Sequence, residues 1–129
     1  MLSLSYLNIE FAEVADMNSF YRERLPEIPK IKSFINTLRL MFSLPLDRIQ
    51  LFVGQGSRVY RIVMKDNKKN IFGWFVLMPI ENRIDLFDYS NPETPLIQWK
   101  NKKAVTKNYD QVLINAGIEK VFDRVIGLI

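Results

Sequence analysis

The sequence contains no histidine and no cysteine. Without histidine there is no Ser-His-Asp triad and no imidazole base, and the usual zinc and iron ligand sets lose their commonest member. Without cysteine there is neither a disulfide framework nor thiolate chemistry. Any catalysis falls to carboxylates, lysine, tyrosine or a carboxylate-bound Mg²⁺. No apolar run reaches the roughly 20 residues that a membrane-spanning helix needs. The longest, IFGWFVLMPI at 71–80, stops at half that length. The opening MLSLSYLNIEF carries no basic segment and meets Glu10 early, unlike a signal peptide. Repeats and low-complexity tracts are also missing. The expectation from these absences is a cytoplasmic protein with no membrane contact and no cofactor.

What is present is the composition of an ordinary globular chain: 48% hydrophobic and 25% charged residues. Its 129 residues fit one domain, 1–129. A chain of this size buries roughly 65–70% of its unfolded surface without staples.

The apolar run at 71–80 is the centre of the expected fold. Nine of its ten residues are apolar and none of its side chains is charged, so it lacks the alternation of a half-exposed strand. That pattern predicts a strand covered on both faces. Pro79 belongs at its end, and Glu81-Asn82 makes a turn into a following strand, RIDLFDY at 83–89. Upstream, Ile49, Leu51 and Val53 alternate up to a Gly54-Gln55-Gly56-Ser57 turn. Residues 58–65, RVYRIVMK, then set Tyr60, Ile62 and Met64 against Val59, Arg61 and Val63 before the turn DNKK. Beyond a proline-bearing loop, SNPETP, Leu96 to Lys100 and Ala104 to Thr106 read as short strands.

Helices flank this sheet in the reading. Leu4, Leu7, Phe11 and Val14 recur at helical spacing within residues 2–25, although Leu2, Leu4 and Tyr6 also alternate. Ile31, Phe34, Ile35, Leu38, Met41 and Phe42 form one stripe between Pro29 and Pro45. Asn108 with Gln111 resembles a capping box, opening a last helix through Ile114, Ile118, Val121, Phe122 and Val125. The expected fold class is therefore α+β: one or two helices, an antiparallel meander of about five strands, and a C-terminal helix.

Charge is uneven. Fourteen basic and six acidic residues between 30 and 107 leave +8 there, against −3 before and −1 after, within a net +4. Two basic clusters carry most of it. The first is Arg58, Arg61, Lys65, Lys68 and Lys69, the second Lys100, Lys102, Lys103 and Lys107. If the turns bearing Lys68-Lys69 and Lys102-Lys103 share one end of the sheet, they form a single patch that attracts phosphates through counterion release. Tyr60, Trp99 and Tyr109 lie near the clusters in sequence and are candidates to stack on bases.

Candidate chemistry is sparse. Gly54-Gln55-Gly56-Ser57 matches neither GxGxxG nor GxxxxGK[ST] and reads as a hairpin turn. Asp85 and Asp88, three apart on a strand, point to opposite faces and form no dyad. Asp85 followed by Gln98-x-Lys100 resembles the acidic-then-ExK layout of restriction-type nucleases, with Gln98 where a second carboxylate belongs. That resemblance implies Mg²⁺-dependent phosphodiester hydrolysis, and it is the third of three readings. The first is a non-enzymatic binding module meeting nucleic acid through Arg58, Arg61, Lys65, Lys68, Lys69, Lys100, Lys102 and Lys103, with Trp99 stacking. The second is a protein-interaction module, such as a small inhibitor from a virus or mobile element, that binds an acidic partner. The oligomeric state is left open.

Overall fold

The computed structural model describes residues 5–56, 58–101 and 103–107, with the backbone course alone for Ser5 and for 103–107. Eight strands form one antiparallel sheet in which spatial order follows chain order: β1 (Ser5–Tyr6), β2 (Ile9–Glu13), β3 (Ile49–Gly54), β4 (Tyr60–Lys65), β5 (Ile71–Met78), β6 (Arg83–Asp88), β7 (Ile97–Lys100) and β8 (Lys103–Lys107). Two helices, α1 (Met17–Tyr21) and α2 (Ile28–Phe42), interrupt the meander between β2 and β3. The class is α+β. The helix expected from Asn108 lies outside the described residues.

The run at 71–80 is the strand its lack of alternation predicts. Its β5 pairs with β4 on one side and β6 on the other, and Gly73 to Met78 are buried. Pro79 opens a single 3-10 turn, and Asn82 reverses the chain at φ 51. At Gly73 two backbones come close: a Cβ there would stand 2.9 Å from the Phe87 carbonyl oxygen. Gly73→Ala is therefore expected to cost about 1 kcal/mol as β6 is pushed away. A urea midpoint that stays level or rises would show that the strands yield freely at this point.

Helix α2 covers one face. Its 3–4 spacing turns Ile31, Phe34, Ile35 and Leu38 onto Leu51, Tyr60, Ile62, Phe75, Leu86 and Trp99. The Phe34 ring meets the Phe75 ring edge-on at 4.9 Å between centroids. Ser43, at φ 53, ends the helix in the left-handed conformation that favours C-terminal caps. A bulge leaves Phe72 as the extra residue of β5, and its ring lies 6.4 Å from that of Phe42.

The second face is covered from within the sheet. Here the N-terminal helix expected over residues 2–25 gives way to a hairpin and a five-residue helix. Leu7 and Asn8 take φ values of 53° and 61°, the pair of positive angles a two-residue hairpin turn requires, and no helix can run through them. Tyr6 and Phe11 then lie over that face. The Tyr6 ring packs on Phe87 at 5.2 Å, and the Phe11 ring sits 4.3 Å from the Arg61 guanidinium carbon. Val63, Trp74, Val76, Met78 and Phe87 form the core beneath. Strand β1 thus touches β6 although four strands separate them in the sheet, so the sheet curls over its own second face.

Among the described residues no helix is long and apolar enough to cross a membrane.

Candidate functional site

A meander sends alternate turns to opposite ends. The β3–β4, β5–β6 and β7–β8 turns mark one end, here called the hairpin end, and the β4–β5 turn and β6–β7 loop mark the other. Lys68 and Lys69 fall in the β4–β5 turn, while Lys100 and Lys103 flank the β7–β8 turn. The two basic turns are therefore about 20 Å apart, the length of a six-residue strand. The single patch expected from them does not form.

The other expected contacts divide as follows. Arg58 lies before β4 at the hairpin end, and Lys65 lies at the far end of the same strand beside Lys68 and Lys69. Lys69 approaches Asp47 at 3.7 Å, both side chains largely in solvent. Arg61 is 3% exposed and held against Phe11, and burial pulls its pKa down to about 10, still cationic at neutral pH. It is enclosed in the core and presents nothing to a phosphate. Trp99 and Tyr60 are both 0% exposed, packed on the α2 side of the sheet, so neither can stack on a base. Trp99 shares its face with Ile97, and its ring stacks against Phe75 instead. Lys102 and Tyr109 lie outside the described residues.

Two arginines at the hairpin end are each fixed by a buried carboxylate that also binds a tyrosine. Glu27, just before α2, is 4% exposed. Its Oε1 accepts from Arg58 Nε at 2.8 Å and from the Tyr60 hydroxyl at 2.6 Å, and its Oε2 accepts from Arg58 Nη2. The Arg58 hydrogen bonds, with help from Tyr60, hold the Glu27 carboxyl down to about 2 despite the opposing effect of burial. Burial and the adjacent Glu27 push the Tyr60 hydroxyl up, so it stays protonated.

Asp85, on the second face of β6, is 0% exposed. Arg83 Nε and Nη2 donate to its two oxygens at 3.0 and 2.8 Å, the Tyr6 hydroxyl donates at 2.9 Å, and Gln98 Nε2 at 3.3 Å. Hydrogen bonding to Asp85 raises the Arg83 pKa, and burial raises that of Tyr6.

The pairing of Asp85 with Gln98 puts the nuclease-like residues side by side across β6 and β7, with Lys100 opposite Arg83. The Asp85 carboxylate is nevertheless enclosed and already takes four hydrogen bonds. Among the described residues no group of three or more acidic side chains could hold a metal ion. Asp88 is likewise engaged, accepting from the Ser90 hydroxyl at 2.6 Å.

Glu27, Arg83 and Tyr6 were not singled out from sequence. For Arg83 a signal existed: at two residues from Asp85 on one strand, the two share a face. For Glu27 and Tyr6 the partners lie 31 and 79 residues away, with nothing local to announce them.

Register then aligns a row of cations at this end. Arg83 pairs with Lys100 across β6–β7, and Lys100 pairs with Lys103 across β7–β8. Lys100 is exposed, and Arg83 remains 24% exposed beside its carboxylate. Asp85, 2.8 Å from Arg83, and Glu81, in the adjoining turn, are the acids beside it. Comparison with protein-family models, curated proteins and solved structures finds no match, so a functional reading rests on this geometry.

Proposed function

We propose that the chain is a non-enzymatic binding module that meets a polyanion, nucleic acid first, at the hairpin end of its sheet. The row Arg83, Lys100 and Lys103 at consecutive register positions carries this reading. Like charges directly opposite on neighbouring strands repel and destabilise a sheet. Strands stand about 4.8 Å apart, so the row offers closely spaced positive charge to a phosphate backbone. Exposed Lys30 and part-exposed Arg58 add to the same end. The contact would be electrostatic and directed to the backbone, with little reading of bases.

Fluorescence anisotropy with a labelled single-stranded DNA, the same sequence as RNA, and a duplex tests the proposal. A row neutralising about three phosphates gives a loss in affinity between 50 and 200 mM salt of roughly 40-fold for the duplex and roughly 20-fold for the single strands. Lys100→Glu with Lys103→Glu should remove binding, and Lys68→Glu with Lys69→Glu, at the far end, should leave it nearly unchanged. Absence of binding at 50 mM salt, or equal loss from the far-end pair, would reject the reading.

A further inference from the structure

We infer that the cleft between the start of α2 and the β5–β6 turn is a binding site for a small organic anion. A body of about one ring would lie in the cleft, with its carboxylate or phosphate against Arg58 and Lys30. The cavity measures about 240 Å³, and its apolar wall includes Ile31, Phe34, Leu77 and Ile84. An apolar cavity of roughly 150 Å³ already accepts benzene, so this one takes a ring with a head group. It is smaller than the roughly 300–1,000 Å³ clefts that hold drug-sized ligands, which sets an upper bound on the occupant.

Charge selects the sign of the head group. Lys30 and Arg58 bring positive charge to the lining, against the single carboxylate of Glu27, while the Arg83 guanidinium is turned to Asp85 on the second face. Both oxygens of that carboxylate are already taken by Arg58 and Tyr60, so it offers little to a cationic ligand. Arg58 spends two of its N–H groups on Glu27, and of the five a guanidinium carries, three are left to face outward. Its side chain is 40% exposed although its anchor is buried. A buried ion pair gains little stability over an apolar substitute of equal volume. Its value here is orientation: a guanidinium that cannot swing away loses less entropy when it takes up an anion. Lys30 stands beside it as a free-moving second charge, exposed at the start of α2.

This site rests on the cleft with Lys30 and Arg58, and Lys100 and Lys103 are not in its lining, so Lys100→Glu with Lys103→Glu should remove polyanion binding and leave this site in place. The test is an amide NMR titration of the ¹⁵N-labelled full chain with phenyl phosphate and with benzoate, alongside inorganic phosphate and benzyl alcohol. For a ligand of about ten heavy atoms, a Kd of about 1 mM is expected for at least one aromatic anion. Its shifts should centre on Ile31, Phe34 and Ile84. The tighter of the two anions names the head group. Inorganic phosphate and benzyl alcohol should each bind about tenfold more weakly, since one lacks the body and the other the charge. Lys30→Glu, at an exposed position that leaves the wall intact, should weaken binding about fivefold with the rest of the spectrum unchanged. Saturation by neither aromatic anion below about 10 mM, shifts centred elsewhere, or equal binding of either control would overturn the inference.

Discussion

Replacing Asp85 by alanine is expected to lower stability by about 3 kcal/mol, the low end of the cost of breaking a buried charge pair, because the Arg83 left behind is 24% exposed. The carboxylate has no exposure, and its removal strands the Arg83 guanidinium, the Tyr6 hydroxyl and the Gln98 amide at once. The damage should spread beyond β6. Tyr6, with Phe11, ties the first hairpin to the second face, through this hydrogen bond and its edge contact with Phe87. Urea unfolding at neutral pH gives the magnitude, and hydrogen exchange at the amides of β1 and β2 shows whether the hairpin loosens first. Asp85→Asn keeps the shape and one acceptor oxygen but removes the charge and sets an NH₂ group against donors, so its loss should be of the same order as that of the alanine variant. A loss below about 1 kcal/mol for the alanine variant would mean that water reaches this carboxylate.

The second large effect is a pH dependence. The folded-state pKa of Glu27 is held at about 2, below its ordinary value of 4.5, chiefly by the Arg58 hydrogen bonds. A carboxyl whose folded pKa lies below its unfolded one contributes stability above the unfolded value. That contribution is lost as pH falls from about 4.5 towards 2. A difference of this size corresponds to about 3 kcal/mol. Because Arg58 is 40% exposed and partly screened, we expect about 2 kcal/mol to be realised. Glu27→Gln should lose that amount at neutral pH, and its stability should fall less steeply than that of the parent across the acid window. Parallel unfolding curves between pH 5 and 2 for the two proteins would rule out the coupling.

Much of the fold could be read along the chain because its signals are local. The absence of alternation at 71–80 marked the doubly covered strand, and Pro79 with Asn82 marked its end. The stripe from Ile31 to Phe42 marked α2, and Asp66 closes the next turn by accepting from the Lys68 and Asn70 amides. The N-terminal segment misled because Leu4, Leu7, Phe11 and Val14 match a helical period by coincidence. A leucine at φ 53 is an uncommon turn residue, so nothing in its type announces the reversal at Leu7-Asn8. The count of about five strands fell short because the first hairpin was taken as helix.

The site was legible only in part. Three strands, β5, β6 and β7, separate the turn at Lys68-Lys69 from the one between Lys100 and Lys103, and an odd number of antiparallel strands always puts such turns at opposite ends. That parity was available from the strand reading alone. The burial of Trp99 was not, because an alternating strand with aromatic and basic residues does not say which face a helix will cover. The Arg58–Glu27 pair needs tertiary distance, whereas Arg83 and Asp85 lie two apart on one strand.

Spatial order that repeats chain order also bears on how the molecule comes to be. Each new ribbon docks beside one already made, so loop closures stay short apart from the helical insertion before β3. Pairing each strand with its neighbour in sequence favours stepwise growth of the sheet, while Glu27 and Tyr6 must wait for partners 31 and 79 residues further along.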